Sequence, residues 1–176
     1  MAAAWRTRLN RVQFTLPPQA QVLHDSLRVA LSHSLISRDG PALQPGNRSC
    51  ARSWVRDGVM RVVGLLRLGE VELAREFVDG YADQLFASGK LPCCVDAGGA
   101  DPVAEKDSHG QFIFAVAELW RHSAQSPQDR AWLARRWLQA DAAAHHMALL
   151  RQSERTSANH QPGREAFSRL MRALIG

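Results

Sequence analysis

Two short stretches of the chain carry residue types that could do chemistry. The first is Arg52-Ser53-Trp54-Val55-Arg56-Asp57-Gly58. It combines an aromatic platform, a guanidinium fork and a carboxylate. A sugar needs all three: an apolar face to stack on, and fixed donors and acceptors for its hydroxyls. The same residues also have structural uses. Asp57 can cap a helix, Arg56 can pair with another carboxylate, and Trp54 can fill core. The second stretch holds Asp101, Glu105, Asp107 and His109, and ends in Ser108-His109-Gly110. Hydrolysis of a glycosidic bond needs one carboxylic acid to protonate the leaving oxygen and a second carboxylate as base or nucleophile. Asp107 stands where a helix N-cap belongs. The positive end of a helix favours its ionised form, which suits a carboxylate better than an acid. Glu105 has more room in the loop and gains acid character if buried, although Lys106 beside it opposes that shift. His109 serves either as a sugar contact or as a hydrogen-bonded structural histidine.

Helices must position these residues. Apolar side chains at Val22, Leu23, Leu27, Ala30, Leu31 and Leu35 recur at three- and four-residue spacing and predict a helix over 19–37. Residues 1–18, ending in Pro17-Pro18, read as an N-terminal extension or linker, and 19–176 as one domain. A mostly apolar helix follows at 54–68, stopped by Gly69, and an amphipathic one at 70–86. Residues 108–122 form another helix, nearly all apolar in its centre, and 126–151 a further amphipathic one. A polar loop at 152–163 leads to a last short helix around Phe167 and Leu170. Long Gly- and Pro-containing loops occupy 40–53 and 88–107. Loops of that length inside a compact domain are often functional.

The order repeats. A buried helix, a tight turn, an amphipathic helix and a long loop begin at Trp54 and again near Ser108, a period of about 54 residues. The fold class is therefore all-α, an array of αα-hairpins with an inner and an outer helix per unit. No strand pattern competes. The tight turns fall at one end of the array and the long loops at the other, so the chemistry should collect at the loop-rich end.

Composition excludes several classes. Of 22 basic residues only Lys90 and Lys106 are lysine, the rest being arginines scattered over every segment, and the formal net charge is +5. No basic block alternates with aromatics, so no nucleic-acid partner is expected. The longest apolar run, 112–117, falls far short of the roughly 20 residues of a membrane span, so no membrane partner is expected. The first residues place charge where a signal peptide has its apolar stretch, which points to the cytoplasm. The three cysteines, Cys50, Cys93 and Cys94, lack the paired spacing of a zinc site and read as structural or incidental thiols. No metal and no cofactor are expected. His145 and His146 are neighbours on a helix and point about 100° apart, so they share no face.

At Arg52-Ser-Trp-Val-Arg-Asp-Gly58 the chain resembles the Trp-x-Arg-Asp signature of glucoamylase-type enzymes in the six-hairpin glycosidase superfamily. A bacterial branch of that superfamily is similar at Leu35-Ile-Ser-Arg-Asp-Gly-Pro-Ala-Leu-Gln-Pro-Gly46, at Pro92-Cys-Cys-Val-Asp96, and from Gly99-Ala-Asp-Pro102 through Asp107-Ser-His-Gly110. The resemblance covers about residues 20 to 175. It implies an (α/α)6 toroid of which about half the helices are present. It implies that Arg56 and Asp57 hold hydroxyls of a terminal sugar, that Trp54 lines the same subsite, and that the general acid falls near Glu105 or Asp107. The family's Trp-Glu-Glu run before that helix is absent here, and its second carboxylate comes from a much later hairpin.

The expected function is thus that of a glycoside hydrolase-like fragment with a carbohydrate as partner, catalytically inactive and poorly stable alone. Its uncovered inner-helix faces would promote self-association. Two rivals stand beside it. One is a helical-repeat module binding a protein on its concave face. The other is a non-hydrolytic relative on the same toroid, such as a phosphorylase, isomerase or lyase. A solenoid spreads binding residues along helix surfaces, whereas this chain gathers them in loops.

Overall fold

The computed structural model describes residues 2–46, 51–103 and 105–156, without the side chains of 154–156. Six α-helices carry the described chain: α1 (Ala2–Leu9), α2 (Gln21–Ile36), α3 (Val55–Arg67), α4 (Val71–Ala82), α5 (Ser108–His122) and α6 (Pro127–Thr156). The chain is mainly α, as expected. Helix bounds follow local chemistry. A 3-10 turn, Pro18–Ala20, enters α2, with proline supplying the fixed φ of a first turn. Gly69, at φ +76°, closes α3 and lets the chain reverse directly into α4.

The core follows the amphipathic stripes. Val55, Val59, Val62, Leu65 and Leu66 of α3 meet Leu73, Ala74, Phe77, Val78 and Tyr81 of α4. Phe112, Ala115, Val116 and Leu119 of α5 complete the cluster, and α6 closes it with Trp132 and Ala140. Trp132 is also oriented: its indole N–H donates to Asp79 at 2.7 Å, and the Arg75 guanidinium lies 4.9 Å from its ring centre. The central apolar run of α5 is largely covered by the described residues, with Phe114 at 43% exposure left open; on α3 Met60 is open at 67%.

Residues 2–9, within the stretch read as an extension or linker, form α1, which Arg8 ties to the domain by forking the buried Glu70 carboxylate at 3.0 and 2.9 Å. Three expectations need correction. Helix α4 ends at Ala82 instead of 86, where Phe86 turns away to donate its N–H to Lys90 O. Helix α6 runs past 151 to Thr156. Finally, the long loops hold short strands: β1 (Arg38–Asp39) pairs with β2 (Ala42–Leu43), and β3 (Ser53–Trp54) pairs with β4 (Cys94–Asp96), which pairs with β5 (Gly99–Ala100). They are too short to show a period of two, so no pattern in the sequence marked them. The expected last helix beyond 163 lies outside the described residues.

Gly89 explains how the 88–107 loop lies on α6. Its φ is +78°, and an added Cβ would sit 2.2 Å from the Ala142 carbonyl oxygen. The absence of a side chain therefore permits both the turn and the close approach. Ser88 O, one residue earlier, lies 3.1 Å from His146 Nδ1 of the same helix. Among the described residues no helix is long and apolar enough to cross a membrane.

Candidate functional site

The two candidate stretches are joined through backbone first. Ser53 sits opposite Val95 and Trp54 opposite Cys94 in the antiparallel pair of β3 and β4. The Val55 N–H then donates to Cys93 O at 3.1 Å. This pairing sets the start of α3 against the loop that leads into α5. Beneath it, the buried Tyr81 hydroxyl donates a short hydrogen bond to Ser53 O. Burial raises the Tyr81 pKa well above the usual phenol value, so the hydroxyl keeps its proton as the donor.

Side chains then meet across the seam. The Arg56 guanidinium donates to both oxygens of Asp107, from Nε at 2.6 Å and from Nη2 at 2.9 Å, and from Nη2 to Glu105 at 3.2 Å. One exposed arginine on the first turn of α3 therefore gathers two carboxylates from the entry of α5. The fork explains the Asp107 side chain. Asp107 does occupy the N-cap position of α5, yet its carboxylate makes no capping hydrogen bond, because Arg56 takes it. The same fork, with a smaller opposing effect of burial, holds Asp107 below the usual carboxylate range and raises Arg56. Asp107 is thus a fixed, ionised carboxylate.

The remaining expected residues divide into two groups. Trp54 is half-buried immediately before α3, and Asp57 is exposed in its first turn. Among the described residues Asp57 has no hydrogen-bond or ion-pair partner, so its oxygens stay available. His109 is 1% exposed and lies below the rim. Its Nε2 accepts the Leu91 N–H at 3.0 Å, which places the ring proton on Nδ1, and the ring stacks on His146 with centroids 5.0 Å apart. Burial first, then the neighbouring His146 and Lys90, lower its pKa. Its Nδ1, by contrast, is buried without a hydrogen-bond partner among the described residues.

A second arginine repeats the device nearby. Arg52 donates from Nε to Asp96 at 2.8 Å and from Nη1 to Asp101 at 3.1 Å. Its Nη1 also lies 3.4 Å from the Cys94 sulfur. Burial, together with the neighbouring Cys93, pushes the Cys94 thiol up to about 12. Linear spacing did not reveal this cluster, since adjacent residues in a strand ordinarily point to opposite faces. Cys93 stands just before β4, and the two sulfurs come within 3.6 Å.

A groove of about 440 Å³ lies elsewhere, between α1 and the start of α4, where Trp5, Arg8, Arg38, Glu70 and Glu76 line it. It shares no residue with the Arg56 cluster. Comparison of the chain with protein-family models, with curated proteins and with solved structures returns no match. The site has to be read from its own geometry.

Proposed function

We propose that the chain is a glycoside hydrolase-like segment of an (α/α)6 toroid, and that the N-terminal ends of α3 and α5 form part of a sugar subsite. The observation that carries this reading is the Arg56 fork, which gathers Asp107 and Glu105 from a distant loop beside Trp54 and Asp57. Sugar binding draws on the same inventory: stacking surface, planar donors and ionised acceptors in one place. In this reading Trp54 walls the subsite, and Arg56 and Asp57 hold hydroxyls. Glu105 is the candidate acid, and Asp107 is the ionised partner that keeps Arg56 in place. Met60 and Phe114, open on the two inner helices, are the surfaces that further hairpins of such a ring, or a second copy of the chain, would cover.

The test is binding of neutral oligosaccharides to the full chain, read on a glycan array and by ligand-detected NMR. Arg56→Ala is expected to weaken binding by at least about 10-fold, because it removes two charge-assisted hydrogen-bond donors from the subsite. Arg56 is exposed, so the fold should survive the change. Equal binding by both proteins would remove the subsite.

A further inference from the structure

The donor set at the base of the β4–β5 hairpin is independent of the sugar reading. Cys93 Sγ, Cys94 Sγ and an Asp101 carboxylate oxygen all lie within 4.8 Å of one another. We propose that these three groups bind one thiophilic divalent cation of the zinc class, leaving a fourth coordination position for water.

Two of the separations are close to those of a tetrahedral site. With Zn–S near 2.3 Å, tetrahedral geometry sets two sulfurs about 3.8 Å apart, and a sulfur and a carboxylate oxygen about 3.5 Å apart. The two sulfurs here are 3.6 Å apart, and Cys94 Sγ lies 3.9 Å from Asp101 Oδ2. Thiolate donors select zinc over magnesium or calcium, which prefer all-oxygen shells.

The backbone holds the three donors in place before any ion arrives. Cys93 N–H donates to Val103 O at 3.3 Å, and Asp101 N–H donates to Cys94 O at 3.0 Å. Asp101 Oδ1 accepts the Val103 N–H at 2.9 Å, which leaves Oδ2 turned toward the sulfurs. Both cysteines are buried, whereas the Asp101 side chain is 25% exposed, so the approach is from the aspartate side. Arg52 lies across that approach and supplies the counter-charge in the metal-free protein; an entering cation displaces its Nη1 while Nε stays on Asp96. Each thiol releases its proton to solvent as it ligates. A bound ion would pin the β4–β5 turn, and with it the loop that carries Glu105 into α5.

The test uses the full, freshly reduced chain titrated with Co2+, followed by displacement with Zn2+. One equivalent of Co2+ should produce thiolate-to-metal charge transfer and the intense ligand-field bands of a tetrahedral site, and Zn2+ should abolish both. Cys93→Ser and Cys94→Ser should lose the charge-transfer band. Because Cys94 is fully buried, Asp101→Asn is the second arm, and far-UV circular dichroism checks each fold. This partly exposed change should weaken Co2+ binding by about 10-fold or more. No thiolate band in the wild-type chain would overturn the site. So would a band that survives both serine variants, or a Co2+ affinity unchanged by Asp101→Asn.

Discussion

Gly58 is where one methyl group tests the packing beneath the rim. It lies in the first turns of α3 against α4, and a Cβ built there would meet the Phe77 ring at 2.0, 2.3 and 2.8 Å. Ordinary carbon contacts begin near 3.5 Å, so the ring would have to withdraw by about 1.5 Å. It has little space to do so: Phe77 is 2% exposed and its ring lies 5.0 Å from that of Tyr81, which anchors Ser53. Overpacking of this kind costs about 3 kcal/mol at the severe end. Replacing a helical glycine by alanine returns about 1 kcal/mol of backbone entropy. Gly58→Ala should therefore destabilise by about 2 kcal/mol, lowering the melting temperature by about 4–8 °C for a chain of this length. Gly64 is the internal control, being in the same helix with nothing within 4 Å of a built Cβ. Gly64→Ala should stabilise by about 0.5–1 kcal/mol. Urea unfolding monitored by circular dichroism measures both, and Phe77→Leu in the Gly58→Ala background should recover part of the loss by removing the ring tip. If Gly58→Ala is as stable as Gly64→Ala, the contact of α3 with α4 is wrong, and the Tyr81 support of the rim falls with it.

Two further outcomes follow from the structure. Gly89→Ala should cost at least about 2 kcal/mol in urea unfolding, since it sets a side chain in the left-handed region and drives it into the Ala142 carbonyl; a neutral result would detach the 88–107 loop from α6. The lowered His109 pKa gives a signed pH dependence. Above the unfolded value of about 6.5 both states hold the ring neutral and stability is full; as pH falls from there toward the folded value, the unfolded chain takes up the proton first and stability declines. The urea midpoint should therefore drop between pH 7 and pH 5, and drop less in His109→Gln, whose amide oxygen can still accept the Leu91 N–H. Equal drops in both proteins would show that this ring does not drive the dependence.

What the sequence disclosed, it disclosed through long periodic stretches. The helices that became α2 to α6 showed apolar spacing over three or more turns, and the alternation of tight turns with long loops separated the Gly69 end from the end carrying Arg56 and Asp107. Helix α1 was missed because Ala2–Leu9 fully buries no residue and so has no stripe; it is held by Arg8 on Glu70 and by the partly buried Leu9 at its end, which no periodicity records. The strands were missed because two or three residues cannot show alternation. The sulfur pair was missed because adjacency in sequence argues against convergence, and only the chain's turn into β4 brings Cys93 beside Cys94. In the candidate site, residue types and loop placement were legible, but the partner of Asp107 was not. A cap and a cross-loop ion pair use the same side chain at the same position, and the three-dimensional position of Arg56 decides between them.

Under the proposed glycosidase reading, that decision bears on which carboxylate could give up a proton to a leaving group. A general acid has to be protonated near neutral pH, which requires burial or a like charge to raise its pKa. Asp107 has the opposite surroundings: two guanidinium donors on its two oxygens, at a half-exposed site at the end of a helix. Substituting Asp107 by Asn would remove the charge that Arg56 engages most closely and leave Glu105 as its remaining charged acceptor. Glu105 receives only one arm of the same fork, from Nη2 at 3.2 Å, whereas Asp107 takes both Nε and Nη2. One arginine thus holds the two carboxylates unequally, Asp107 by two donors and Glu105 by one.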